Sequence, residues 1–128
     1  LYKLGWAYYQ QQDYKQAAEQ FNKQSRLFPD SPLSIEATFM QAECSMKTAA
    51  YADSFAAYEK AKIKLEKSAD AGTLHPQISH LIYLHGAQAA RELKKWNIVD
   101  SWLAEMLKRY PESTYKPFVL YEQAYSAQ

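Results

Sequence analysis

Apolar residues recur along this chain at steps of three and four positions, which is the period of an amphipathic α-helix. Short polar or turn-forming stretches interrupt the pattern, and glycine and proline are scarce. The sequence therefore predicts an all-α fold of about seven helices, with paired helices antiparallel because the turns between them are short. The predicted helices run from Leu1 to about Tyr9, Tyr14 to about Leu27, Ser31 or Ser34 to about Lys47, Tyr51 to Lys67, Pro76 to about Leu93, Trp96 to about Arg109, and Lys116 to Gln128.

Two junctions between predicted helices have the same pattern, an aromatic residue followed by proline, an acid and serine. They begin at Phe28 and Tyr110, which lie 82 residues apart. Proline cannot continue a helix, whereas the acid and the serine offer oxygens that can cap the next one. We expect Asp13 to cap the second helix, and Ser31 or Ser34 to cap the third.

The first two predicted helices carry a motif with fixed spacing. It consists of Leu4-Gly5-x-x-Tyr8, Ala17-x-x-x-Phe21 and Pro29. This motif resembles the signature of the tetratricopeptide repeat (TPR) family. In this interpretation Gly5 and Ala17 are small where the two helices cross closely, and Tyr8 and Phe21 fill the space beside them. The resemblance implies a right-handed, TPR-like superhelical solenoid of antiparallel helix pairs.

Small residues mark the same position in each later helix pair. The intervals are 37, 45 and 37 residues between Gly5, Ala42, Ala87 and Ala124. The usual unit of the family is shorter, about 34 residues, so this array carries insertions at its junctions.

These intervals predict a single TPR-like repeat domain over 1–128. Its units lie at about 1–30, 31–75 and 76–112, with a partial unit at 113–128. The chain starts with a leucine that already belongs to the periodic pattern, so we expect a fragment of a longer array.

The aromatic-Pro-acid-Ser junction is similar to that of repeat proteins of the bacterial cell envelope, of the Tol-Pal-associated periplasmic and outer-membrane-assembly lipoprotein types. This similarity favours a bacterial origin and a periplasmic or envelope location. The residues themselves leave the compartment undecided, because Cys44 is the only cysteine and no internal disulfide is possible.

Charge and composition exclude several classes of partner. Fifteen Lys and Arg against fourteen Asp and Glu give a net charge of +1, so there is no excess of positive charge for nucleic acid or an anionic membrane surface. No apolar run is long enough to span a membrane, and we expect no membrane insertion in this segment.

Catalytic and metal chemistry find little support in the sequence. His75, His80 and His85 recur every five residues, whereas two histidines share a helix face at steps of three or four. Cys44 and a histidine could form a nucleophile and base, but no third orienting group is evident. We expect a non-catalytic chain without a cofactor or a metal.

Aromatic residues make up 15% of the chain, and several of them, such as Tyr58 and Trp96, are expected to pack in the core. The TPR resemblance implies that the first helix of each unit lines a concave groove. The predicted groove residues are Tyr2, Trp6, Tyr9, Gln10, Phe39, Glu43, Met46, Lys47, Leu84, Gln88, Arg91, Tyr121 and Tyr125. The alternative is packing against neighbouring helices, and for Phe39 and Leu84 the two interpretations weigh equally.

A groove with aromatic walls and a few polar groups suits an extended or helical peptide. The sequence thus predicts a protein-protein interaction scaffold for a peptide or partner protein. Tyr2 and Trp6 stand where one subclass of the family uses lysine and asparagine to grip a C-terminal carboxylate, so we expect no preference for acidic C-terminal peptides. The alternatives are a regulatory or substrate-delivery module of a larger cell-envelope enzyme, and self-association through the aromatic face.

Overall fold

The computed structural model describes residues 1–68 and 76–126, and within those ranges the chain forms α-helices and no strands. The helices are α1 (Tyr2–Gln10), α2 (Tyr14–Leu27), α3 (Ser34–Lys47), α4 (Tyr51–Lys67), α5 (Pro76–Glu92), α6 (Trp96–Arg109) and α7 (Lys116–Ser126). The predicted all-α fold is confirmed. Five of the first six helices begin and end within one residue of their predicted positions, and α3 begins at Ser34, the later of its two predicted starts. His75 lies outside the described residues, as does most of the stretch between the predicted helix that ends at Lys67 and the one that begins at Pro76.

The chain divides into two compact units. The N-terminal unit, Leu1–Lys67, contains α1 to α4, and the C-terminal unit, Ser68–Gln128, contains α5 to α7. The boundary between them follows Lys67, the predicted end of the fourth helix.

The three turns within the helix pairs α1–α2, α3–α4 and α5–α6 share one backbone conformation. In each, the residue two positions before the second helix has a positive φ, namely 62° at Gln12, 60° at Ala49 and 59° at Lys94. The next residue donates its N–H to a carbonyl five residues back, at 2.9 Å in all three turns. This is the Schellman motif, in which glycine is the usual residue at the positive φ. The turns repeat at the intervals of 37 and 45 residues predicted from the small residues.

The two aromatic-Pro-acid-Ser junctions also share one conformation. Phe28 and Tyr110 end α2 and α6 with φ/ψ angles of −129°/62° and −132°/62°. The hydroxyls of Ser31 and Ser113 each accept a hydrogen bond from the backbone N–H two residues on, at 3.2 and 3.1 Å. The expected serine cap of α3 is therefore wrong, because α3 begins at Ser34 without a side-chain cap. The Ser31 hydroxyl instead stabilises the turn that precedes the helix.

In the N-terminal unit, α1 and α2 pack antiparallel. Tyr2, at the start of α1, lies beside Phe21 with ring centroids 5.9 Å apart, whereas Tyr9 lies beside Tyr14 across the turn at 5.4 Å. Asp13 caps α2 as predicted, because its carboxylate accepts a hydrogen bond of 3.3 Å from the backbone N–H three residues on.

The close helix crossing predicted at Gly5 is present. A Cβ atom built on Gly5 would lie 2.9 Å from the ring of Phe21, so any larger residue requires the ring to move. Ala17 and Phe21 are fully buried, as predicted. Tyr8, in contrast, is only half-buried, so it fills less of the crossing than the motif implies.

The helices α3 and α4 form a second antiparallel pair in the same unit. Lys64 near the end of α4 donates a hydrogen bond of 2.8 Å to the hydroxyl of Ser34 at the start of α3. Closer to the turn, Tyr58 donates one of 2.7 Å to the Glu43 carboxylate and lies 6.1 Å from the ring of Phe39. The second predicted helix pair therefore has its own packing contacts.

The C-terminal unit builds its core from α5, α6 and the inner face of α7. Fully buried residues come from all three helices, among them Tyr83, Leu103, Met106 and Val119. Trp96, expected to pack in the core, is exposed to 39%. It begins α6, and its ring lies 6.3 Å from that of Tyr125 on α7.

Helix boundaries in the two units correspond at a constant offset. The pairs, each 82 residues apart, are Gln10 and Glu92, Tyr14 and Trp96, Leu27 and Arg109, and Ser34 and Lys116. Residues of α1, α2 and α3 therefore have equivalents in α5, α6 and α7 at this offset. Among the described residues α4 has no equivalent.

Within residues 1–68 and 76–126, no helix combines the length and the apolar character needed to cross a bilayer.

Candidate binding surface

Three aromatic side chains of α1 form a continuous row. Trp6 lies edge-on to Tyr2 at 6.4 Å and to Tyr9 at 5.5 Å, measured between ring centroids. The row packs on Phe21, whose ring lies 6.0 Å from that of Trp6. The row extends to Tyr14. Edge-to-face contacts of this kind fix ring orientation beyond what burial alone provides. All three side chains of the row are half-buried, so each keeps surface exposed to solvent.

Carboxylates of α3 border this row. Burial, opposed by a hydrogen bond with Trp6 and reinforced by Glu36, raises the pKa of Tyr2 to about 12. Burial and then Glu43 raise the pKa of Tyr9. In both pairs the tyrosine and the glutamate are 34 residues apart, which is the offset at which α1 and α3 face each other. The tyrosine hydroxyls remain protonated at neutral pH and can donate hydrogen bonds.

Two predicted groove residues are core residues instead. Phe39 is exposed to 5% and Leu84 to 3%, so neither offers surface to a partner. Phe39 packs on α4 through Tyr58, and the packing alternative applies to both residues. Their i, i+3 and i+4 spacing matches a groove face and a helix interface equally well, which is why periodicity did not separate the two roles.

The remaining predicted residues of the N-terminal unit surround the row unevenly. Met46 is half-buried and its sulfur accepts a hydrogen bond of 3.8 Å from the Ser54 hydroxyl. Gln10 and Lys47, at the ends of α1 and α3, are exposed. Glu43 is half-buried, where it accepts the hydrogen bond from Tyr58.

In the C-terminal unit, two predicted groove residues bind one buried carboxylate, and a third contacts one of these two. Arg91 donates to both oxygens of Glu122 through Nη1, at 2.9 and 2.8 Å, and Gln88 donates at 3.4 Å. The guanidinium carbon of Arg91 also lies 4.9 Å from the centre of the Tyr125 ring, within the range of a cation–π contact. Glu122 is exposed to only 4%. Tyr121, in contrast, is exposed to 65% and takes no part in this cluster.

Glu122 is the functional-site residue that the sequence analysis missed. Glu122 is an acid at the position of α7 that corresponds to the buried Met40 of α3, where the periodic pattern predicts an apolar residue. This mismatch was the signal in the sequence. A comparison of Glu122 with Gln88, which precedes it by 34 residues, could have identified the hydrogen-bonded pair.

Cys44 has surroundings that suppress its reactivity, and His80 is held by neighbouring side chains. Cys44 is buried, and burial followed by the charge of Glu43 raises the pKa of its thiol to about 12, so it stays protonated and unreactive. His80 is engaged with the Ser113 hydroxyl at 2.8 Å and stacks on Tyr110 at 4.2 Å. In the described part of the chain, no group of three or more His, Cys, Asp or Glu side chains could hold a metal ion.

The surface hollows of the described residues do not indicate a further binding site. One, of about 510 Å³, is lined by Ala104, Glu105, Lys108 and Arg109 along a single helix, α6. Another, of about 270 Å³, lies between α2, α3 and α4 and is lined partly by Ala18, Gln41 and Lys60. Both are shallow and open, without the enclosed apolar walls of a small-molecule pocket.

Comparison with known proteins adds no identity to these observations. No protein-family model, no curated protein and no solved structure among those compared matches the chain.

Proposed function

We propose that the chain is a TPR-like array, a right-handed superhelical solenoid of helix pairs that serves as a non-catalytic protein-protein interaction scaffold. Three Schellman turns in equivalent positions support a repeating helix pair. First helices of successive pairs contact each other at an offset of 34 residues in both units, as between Tyr2 and Glu36 and between Gln88 and Glu122. That offset matches the length of the family's usual repeat.

The observation that carries the binding function is the half-exposed row of Tyr2, Trp6 and Tyr9. Tyrosine and tryptophan provide large contact areas, lose little conformational entropy on binding and keep a polar group available. The edge-to-face contacts orient the rings before a partner arrives, which lowers the entropic cost of association. Glu36 and Glu43 border the rings and add hydrogen-bond acceptors. Such a surface suits an extended or helical peptide of a partner protein.

The C-terminal groove residues contribute differently. Arg91 is fixed by Glu122 and Tyr125, so its guanidinium is a preorganised part of the surface rather than a mobile charge. Gln88 is tied to the same carboxylate. We therefore assign the main contact energy to the α1 row.

Site-specific photo-crosslinking in cells of the source organism tests this proposal. A benzophenone side chain replaces Tyr9 in one variant and Trp6 in a second. Ile63 is the control, because it is an apolar residue of α4 with 48% exposure and no place in the predicted groove. We expect Tyr9 and Trp6 variants to capture a discrete polypeptide that the Ile63 variant does not capture.

Three outcomes of the crosslinking experiment decide between a binding row, ordinary surface and self-association. Selective capture that disappears in a Tyr2→Ala background supports a binding row. Equal capture at all three positions contradicts the proposal, because the row would then be no more reactive than ordinary surface. Capture of the chain itself, and of nothing else, would assign the aromatic row to self-association.

A further inference from the structure

Carboxylates border the aromatic row of α1. Glu36 acts on Tyr2 through a hydrogen bond and through its charge, and the charge of Glu43 acts on Tyr9. The two glutamates are seven residues apart on α3. Seven residues make about two helical turns, so the glutamates share one face and lie about 10 Å apart along the helix. The row therefore combines aromatic rings with negative charge.

The C-terminal unit contains the kind of cation that such a surface attracts. At the 82-residue offset Arg91 takes the position of Tyr9, and Tyr125 takes that of Glu43. The guanidinium carbon of Arg91 lies 4.9 Å from the centre of the Tyr125 ring, while Nη1 donates to both oxygens of Glu122 at 2.9 and 2.8 Å. One arginine thus binds a tyrosine ring and a carboxylate together.

The helices α1 and α3 hold a ring and a carboxylate at the equivalent positions but supply no arginine. Neither helix contains one, and their basic residues are Lys3 and Lys47. Both lysines are exposed, whereas the row and its two glutamates are half-buried. A guanidinium that binds ring and carboxylate together therefore has to come from outside these two helices.

We propose that the α1 row binds an arginine-bearing segment of a partner protein. This inference rests on the proposed function and names the chemistry of its partner. The guanidinium stacks on a ring of the row and donates hydrogen bonds to Glu36 or Glu43, as Arg91 does in the C-terminal unit. Arginine suits this role better than lysine, because its planar guanidinium stacks on aromatic faces and can donate to a carboxylate through two N–H groups.

The spacing of the two glutamates refines the partner. An extended peptide advances about 3.3 Å per residue, so residues three apart span about the same 10 Å that separates Glu36 from Glu43. A segment with two arginines three residues apart can therefore place one guanidinium near each carboxylate. Lys47 lies one helical turn beyond Glu43 and is exposed, so it marks the end of the acidic stretch.

Peptide titration of the full chain, followed by NMR, tests the requirement for arginine. The probes are four Gly-Ser peptides of equal length that are identical except at two positions three residues apart. Those positions hold arginine, lysine, citrulline or glutamate. Citrulline is the matched control for arginine, because it keeps the shape of the side chain without its charge. The readout is the indole N–H signal of Trp6. Trp96 is the internal control, because it is exposed to 39% and lies on α6, outside the row.

We expect the arginine peptide to shift the Trp6 signal in a saturable way and to leave the Trp96 signal unchanged. Its dissociation constant should be about tenfold lower than that of the citrulline peptide, because two ion pairs and the stacking of the cation on a ring contribute. The lysine peptide should fall between these two. The glutamate peptide should bind most weakly, because its carboxylates meet like charges on α3.

Two conservative variants remove the charges of the border and keep its hydrogen bonds. Glu36→Gln retains an acceptor for the Tyr2 hydroxyl. Glu43→Gln retains one for the Tyr58 hydroxyl. Each variant should weaken binding of the arginine peptide about threefold and leave binding of the citrulline peptide unchanged. Glu19→Gln is the matched control, because Glu19 is an exposed glutamate of α2 outside the row, and it should change neither affinity.

Equal affinity for the arginine and citrulline peptides, or an affinity for the arginine peptide that neither glutamine variant lowers, overturns this inference. The crosslinking experiment separates that failure from a failure of the proposed function. If the crosslinker at Trp6 still captures a discrete polypeptide in the Glu36→Gln/Glu43→Gln double variant, the binding row stands and the arginine-bearing partner is rejected. Loss of capture in the double variant, with a preference for the arginine peptide, supports both proposals. Capture at Trp6 no greater than at Ile63 rejects both.

Discussion

The first three helices of the N-terminal unit and the three helices of the C-terminal unit have corresponding boundaries but different side chains in their cores. In the N-terminal unit, glycine at position 5 faces the large ring of Phe21. In the C-terminal unit, the equivalent residues are Ala87 and Leu103, which are both buried. From the N-terminal to the C-terminal unit, the small residue gains a methyl group and its large neighbour loses volume. The space between the helices is therefore filled in both units.

A second difference lies between the first helices of consecutive pairs. Tyr9 and Glu43 face each other across α1 and α3, and Arg91 and Tyr125 occupy the equivalent positions on α5 and α7. The tyrosine has moved to the other helix, and the charge beside it has changed sign. In the C-terminal unit the additional acid Glu122 neutralises Arg91.

These contrasts distinguish backbone features that repeat in both units from core contacts that differ between them. Turn positions and junctions repeat at fixed offsets, because hydrogen bonds to the main chain depend on geometry and tolerate many side chains. Core contacts vary in compensating pairs, because packing requires total volume and paired charge rather than particular residues. The following predictions test this separation.

The largest effect is expected at the ion pair of the C-terminal unit. Arg91→Ala leaves the buried carboxylate of Glu122 without its main partner and should destabilise that unit by about 3 kcal/mol. Hydrogen exchange resolved by helix measures the loss in α5 and α7. The control is Arg109→Ala, which removes an exposed i, i+4 pair with Glu105 and should cost less than about 1 kcal/mol.

A compensating variant sharpens this result. Adding Glu122→Met to Arg91→Ala introduces the residue found at the equivalent position 40 and should recover most of the stability. A double variant as unstable as Arg91→Ala alone would show that the loss comes from packing and not from the unpaired carboxylate.

The small residue of the N-terminal unit gives the next effect. Gly5→Ala places a Cβ atom against the Phe21 ring and should destabilise the unit by about 1–3 kcal/mol. Phe21→Leu should remove part of that penalty, because the pair then matches Ala87 and Leu103. A double-mutant cycle measured by denaturant unfolding checks this, and strictly additive costs would contradict compensation.

The pH dependence of stability should have opposite directions in the two units. Burial raises the pKa of the Cys44 thiol from 9.0 to about 12. Its folded-state pKa lies above the unfolded value, so its contribution is complete below pH 9 and falls as the pH rises, by about 1 kcal/mol per pH unit. Burial also raises the pKa of Tyr58, with Glu43 acting in the same direction, which adds to the alkaline loss.

His80 in the C-terminal unit behaves in the opposite way. Burial lowers its pKa below 6.5, so its contribution is present above that pH and is lost as the pH falls through the folded-state value. Hydrogen exchange of each unit between pH 5 and pH 10 checks both slopes, with the exchange rates corrected for the intrinsic effect of pH. Cys44→Ala should flatten the alkaline slope in the N-terminal unit and leave the C-terminal unit unchanged.

The smallest effect concerns the turns. Ala49 has φ of 60°, a conformation that strains a residue with a Cβ atom. Ala49→Gly should therefore stabilise the N-terminal unit by about 0.5–1 kcal/mol. The control is Ala56→Gly in the exposed interior of α4, which should instead destabilise by about 1 kcal/mol. Thermal unfolding of both variants measures the difference, and a loss of stability at position 49 would contradict a strained turn.

The candidate site was only partly predictable from the sequence. The row of Tyr2, Trp6 and Tyr9 was found because a helix places residues three and four apart on one face. Burial of Phe39 and Leu84 could not be read from the same spacing, because a groove and a helix interface present the same pattern. Glu122 was missed because an isolated acid in α7 looks like a solvated residue until Arg91 is brought beside it.

The sequence by itself determined the helices, their boundaries and the positions of the turns, because these depend on local periodicity, on proline and on capping groups close along the chain. Asp13 and the two aromatic-Pro-acid-Ser junctions are such local signals. Only the tertiary structure decided which apolar faces are covered and which charges are paired. Phe39 is buried because α4 packs against that face of α3, whereas Tyr121, a similar side chain at the equivalent position of α7, is exposed. Burial of a side chain depends on what the fold places beside it, and that neighbour is distant in the sequence.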